Sequence, residues 1–158
     1  MTTSQKKFMQ LAIDLSQEGM DMGKGGPFGC VIIKDGVVVG QGCNSVISDN
    51  DPTAHAEIVA IKDACKNLGS FQLDGCEIYT SCEPCPMCLG AIYWARPERV
   101  FYANNKKDAA EVGFDDDFIY QELKIPLEQR KIPMKQLLRE DAKKIFQAWS
   151  VKDNKTIY

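Results

Sequence analysis

The chain has a single histidine, His55, and seven cysteines, three of them close together in Cys82-Glu83-Pro84-Cys85-Pro86-Met87-Cys88. One imidazole and two thiolates supply three legs of a zinc tetrahedron, and a fourth position left to water makes such a site catalytic. A shared ion would bring His55 and the 82–88 segment to one place, tying the elements that carry them.

Cys82–Cys85 and Cys85–Cys88 have the same spacing. If a helix begins at Pro84, Cys85 and Cys88 lie on one face in its first turns, where the positive helix end favours thiolates. Cys82 then precedes the helix, at the end of a strand. The alternative is a closed zinc site holding His55 and all three thiols, which only stabilises a binding module without turnover.

Glu57 argues for catalysis. It lies two residues from His55, about 200° around a helix and on a different face from a metal beside it. At a helix terminus, both side chains reach a metal off the end. Zinc held by two thiolates and a neutral imidazole carries little net charge and acidifies its water weakly, so a general base is needed. Glu57 is placed to take that proton and pass it on.

With 158 residues, 44% of them hydrophobic, the chain suits one well-packed core, so residues 1–158 are expected to form a single domain. It contains no run of 18 apolar residues, and Met1 to Lys7 lacks the pattern of a secretory signal. The odd cysteine count fits reduced thiols rather than a disulfide framework. A soluble, cytoplasmic protein is expected. Cys30, Cys43, Cys65 and Cys76 read as small buried residues.

Residues 1–120 hold 10 Lys or Arg against 17 Asp or Glu, a balance of −7, and residues 121–158 hold 9 against 5, a balance of +4. Glu122, Glu128, Glu140, Asp141 and Asp153 interrupt the basic tail, so it reads as a solvated helix face rather than a nucleic-acid patch. Neither nucleic acid nor membrane is an expected partner. A small uncharged substrate is compatible with this charge.

Along the chain, Phe8, Leu11, Ala12, Leu15 and Met22 repeat at helical spacing up to Gly23. Two β-branched runs, 28–33 and 37–40, flank an Asp35-Gly36 turn and predict a hairpin. A polar loop over 44–50 leads to Asp51-Pro52, which predicts a capped helix running to about Leu68 with Gly69 as its C-terminal cap. A strand is expected over 77–81, a helix from Pro84 to about Tyr93 and a strand over 99–103. Beyond a weak stretch come a strand over 134–139 and a helix over 142–151. This alternation predicts an α/β fold, a three-layer α/β/α arrangement around a central sheet.

His55-x-Glu57 with Pro84-Cys85-x-x-Cys88 resembles the signature of zinc nucleobase deaminases, the cytidine deaminase-like superfamily. Gly25-Gly26-Pro27-Phe28-Gly29, Asp51 to Glu57, Thr80 to Cys88, Gly113-Phe114-Asp115-Asp116 and Phe146-Gln147-Ala148-Trp149 resemble the small zinc-dependent guanine deaminases, over nearly the whole chain. The resemblance implies a cytidine deaminase-like fold with a mixed sheet and one zinc per subunit on His55, Cys85 and Cys88. Glu57 would be the proton shuttle, and Cys82 would lie outside the ligand shell.

It further implies that Phe28 stacks on the purine, Asn44 binds a base edge and the Ala56 N–H faces the reacting centre. Trp94 would complete an aromatic wall, Asp116 would face the substrate amine, and Tyr158 would close over the pocket. The expected reaction is hydrolysis of guanine to xanthine and ammonia in purine metabolism. The rivals are a guanosine deaminase and a tRNA adenosine deaminase. A homodimer is expected, with the segment of about 134–158 covering the site or swapped between subunits.

Overall fold

In the first helix, Thr2 Oγ1 accepts the N–H of Gln5 and Gln5 Oε1 accepts that of Thr2, a reciprocal cap that fixes the start of α1 (Thr3–Asp21). The computed structural model describes residues 1–158 except Asp115 and Tyr158. After α1 the chain forms β1 (Gly29–Lys34) and β2 (Val37–Cys43), joined through Asp35 and Gly36, both at positive φ. That is the two-residue hairpin expected from the Asp-Gly pair. β2 runs three residues further than expected, to Cys43, with a register irregularity at Ile32/Ile33.

The segment read as a loop contains a single helical turn, α2 (Val46–Asp49). The next helix, α3 (Ala56–Leu68), starts later than Asp51-Pro52 implied. Asp51 Oδ1 is engaged by the N–H and hydroxyl of Thr53, at 2.8 and 2.6 Å, so it closes a tight turn and His55 becomes the N-cap. Gly69 caps the far end at φ +61, as expected.

β3 (Cys76–Cys82) leads to α4 (Pro86–Ala95), followed by β4 (Arg99–Asn104), α5 (Lys106–Glu111) and α6 (Asp117–Glu122). The fourth helix begins at Pro86, not Pro84, with Cys85 as its N-cap. The chain continues through a 3₁₀ turn (Leu127–Gln129) to α7 (Arg139–Ser150). No strand forms over 134–139, whose described residues are all exposed and pair with no sheet edge; Leu138 at φ +50 takes the chain out of extended conformation into α7.

The strand order is β2-β1-β3-β4, with β1 antiparallel to β2 and β3, and β3 parallel to β4. Alternation along the strands divides the core. Val31, Ile33 and Tyr79 pack with Phe8 and Ala12 of α1 on one face. Cys30, Ile32, Cys76 and Ile78 pack on the other, with Ala56, Ala60 and Ala64 of α3 and Ile92 and Ala95 of α4. The expected three layers around a mixed sheet are therefore present. Each buried Ile or Leu side chain contributes about 1.5–3 kcal/mol.

At Gly40, where β2 meets α3, the residue must be small. A Cβ on Gly40 would stand 2.5 Å from Ala64 Cβ and 2.6 Å from Ala60 O. Cys30 and Cys76 are buried as expected, whereas Cys43 and Cys65 are only half-buried. Packing divides the chain into two units, Met1–Asp117 and Phe118–Tyr158. In the second, Lys131 N–H donates to Glu122 at 2.7 Å and Arg130 to the carbonyls of Ile125 and Leu123, and none of its described residues is buried. No helix among the described residues is long and apolar enough to cross a membrane.

Candidate metal centre

Two helix N-termini converge at His55 and Cys85. His55 holds extended backbone (φ −71°, ψ 156°) as the N-cap of α3, and Cys85 does the same (φ −66°, ψ 168°) as the N-cap of α4. Pro86 at the first helical position sets the φ that starts α4 and places Cys88 one turn along. His55 Nδ1 lies 3.6 Å from Cys85 Sγ and 3.5 Å from Cys88 Sγ. The three donor atoms all lie within 4.8 Å of one another.

These distances fit zinc. Zn–S of about 2.3 Å and Zn–N of about 2.1 Å at the tetrahedral angle give a nitrogen-to-sulfur edge of about 3.6 Å. The donor set of one imidazole and two thiols suits the same ion, and the positive ends of both helices favour thiolate. Cys82 is outside this group: its thiol faces the Asn105 carbonyl, at 3.8 Å. Among the described residues only these three donors come together, so the four-ligand alternative with Cys82 is not the arrangement seen.

Electrostatics agree with the geometry. The bond from Cys88 is the main influence bringing the Cys85 thiol down to about 4, with His55 assisting against burial. The same bond, then burial, raises Cys88. His55 is raised, first by its bond to Cys85. A metal ion replaces the protons that these groups otherwise share.

Glu57, in the first turn of α3, is only 6% exposed. Burial raises its carboxyl above the ordinary range, against bonds from its own N–H, Cys88 and Thr80. Thr80 Oγ1 donates to Glu57 Oε1 at 3.0 Å. A thiolate ligand has no proton to give, so with Cys88 on a metal Thr80 is the side-chain donor left to Glu57 among the described residues. Thr80 was not anticipated from sequence; its signal was strand alternation, which puts it on the same face as Ile78.

The other expected site residues that the structure describes have varied settings. Asn44 is buried; its Oδ1 accepts the Val46 N–H at 3.2 Å, and its amide nitrogen donates to no described residue. Gly25 makes room for it, since a Cβ there would stand 2.0 Å from Asn44 Oδ1. Ala56 is fully buried, and as the first residue of α3 its N–H has no intrahelical partner.

Phe28 is half-buried and meets Phe114 edge-on, ring centres 4.9 Å apart at 86°. Phe114 is a second partner that sequence reading missed. Asp116 is half-buried, and its charge adds to the bond from Cys85 in raising His55 and to burial in raising Cys82. Trp94 is on α4, 64% exposed. Tyr158 lies outside the described residues.

The model of the cytidine and deoxycytidylate deaminase zinc-binding region matches residues 2–104. The chain belongs to this family of zinc-binding deaminases. It is 57% identical over 151 residues to a guanine deaminase of Bacillus subtilis (strain 168), covering 96% of this chain and 97% of that protein. The X-ray structure of guanine deaminase from Bacillus subtilis matches with a TM-score of 0.95 at 55% identity, covering 100% of this chain and 99% of that one. A tRNA-specific adenosine deaminase of Aquifex aeolicus (strain VF5) is 40% identical over 107 residues, 67% of this chain and 70% of its own.

Proposed function

We propose that the protein is a zinc-dependent guanine deaminase, hydrolysing guanine to xanthine and ammonia. The observation that carries this reading is the likeness to a guanine deaminase, 57% identical over 96% of the chain. His55, Cys85 and Cys88 hold the zinc, which when bound polarises water into a nucleophile.

Glu57 accepts the proton released by the attacking water and delivers it to a purine ring nitrogen. Its burial beside the donor cluster supports that role. The carbon that gains oxygen, C2 of guanine, then loses its amine as ammonia, the proton of the new hydroxyl passing to the amine as the carbonyl forms, with Asp116 accepting hydrogen bonds from that amine. Asn44 offers its amide to a base edge and Phe28 stacks on the flat ring. The Ala56 N–H faces the reacting centre and Trp94 extends the aromatic wall; these two assignments rest on the resemblance.

The protein acts as a homodimer. Ile145 and Phe146 of α7 are 70% and 78% exposed, apolar surface that supports association with a second copy. The protein works in the cytoplasm, in purine catabolism or salvage. The balance of −7 over residues 1–120 disfavours a polyanionic RNA substrate.

Assays of the zinc-loaded chain with guanine, guanosine, adenine and cytosine test the reading. Ammonia is expected from guanine, with xanthine as co-product. Equal turnover of guanosine would instead assign a nucleoside substrate.

A further inference from the structure

On the reading that Glu57 is the proton shuttle, we infer that Thr80 is a positioning residue for the reaction, holding one carboxylate oxygen of Glu57 so that the other is aimed at the reacting atoms. Thr80 is 1% exposed, and its Oγ1 donates to Glu57 Oε1 at 3.0 Å. Its backbone is held from both sides, since β3 lies between β1 and β4 and Thr80 pairs with Cys30 and with Tyr102. A β-branched residue at such a point has a stiff χ1, so the hydroxyl is a fixed donor.

Glu57 is different. It extends on a flexible side chain from the first turn of α3. Keeping it in one rotamer costs conformational entropy, which a fixed hydrogen bond from the sheet offsets. Anchoring Oε1 to the sheet leaves Oε2 as the oxygen that moves the proton. Small displacements of such a group cost rate steeply, because proton transfer needs hydrogen-bond reach in a defined geometry.

The test compares Thr80→Val, Thr80→Ala and Thr80→Ser with the native chain, each loaded with zinc to the same content. Removing the hydroxyl in Thr80→Val or Thr80→Ala should lower kcat for guanine by about tenfold to a hundredfold, with KM changed by less than about twofold. Thr80→Ser keeps the hydroxyl and should stay within about threefold of native kcat. Should Thr80→Val fail to fold, the Ala and Ser variants, which both lose the methyl group, still isolate the hydroxyl. A kcat for Thr80→Ala equal to that of Thr80→Ser would overturn the assignment.

Crystal structures of the zinc-loaded Ser and Ala variants read the positioning whatever the substrate. Glu57 should keep its place to within about 0.5 Å in Thr80→Ser and leave it in Thr80→Ala. An unmoved carboxylate in both would also contradict the inference. A native chain inactive on guanine would remove the substrate reading alone.

Discussion

His55 serves the site from an N-cap, so its direction is set by extended backbone rather than by helical periodicity, and Glu57 two residues on turns into the same space. His55→Ala should therefore reduce bound zinc from one per chain to nearly none, as read by metal analysis. Zinc binding must also weaken on acidification. Protons compete for the raised His55 and Cys88, so affinity should fall steadily from about pH 8 to about pH 6 in a competition titration. These residues were readable from sequence because the lone histidine and the paired thiols have few other uses together. Thr80 and Phe114 were not, because an ordinary strand threonine and a phenylalanine after glycine carry no chemistry until packing gives them partners.

Among the elements, the contact of α3 with β2 is a demanding one. A methyl group on Gly40 would meet both side chain and backbone of α3, with Ala64 N at 2.6 Å. Gly40→Ala should cost about 1–3 kcal/mol in urea unfolding, without altering the zinc ligands. The cap on α5 offers a milder test: Asn105 Oδ1 accepts the N–H groups of Lys107 and Asp108, so Asn105→Ala should cost about 1 kcal/mol.

Up to β4, the single turn α2 apart, element identities were readable from periodicity, but starts were not. Asp51 and Pro84 both looked like helix starts, yet Asp51 is engaged by Thr53 and a second proline, Pro86, takes the first helical position. The strand expected over 134–139 had no neighbour to satisfy its backbone, a condition set by the whole sheet and invisible locally.

For the whole molecule, charge separates a small neutral substrate from a nucleic acid. With −7 over residues 1–120 and +4 over the rest, turnover of guanine should change less than about twofold between about 50 and 200 mM salt, whereas binding of a polyanion would fall by orders of magnitude. A steep salt dependence in steady-state assays would count against guanine. On this reading a three-donor zinc site works with a buried general base, and product analysis of Glu57→Gln beside the native chain, both zinc-replete, is the decisive measurement. Equimolar xanthine and ammonia are expected from the native chain and a rate at least about a hundredfold lower from the variant; native-like turnover by a zinc-replete Glu57→Gln chain would rule out Glu57 as the base.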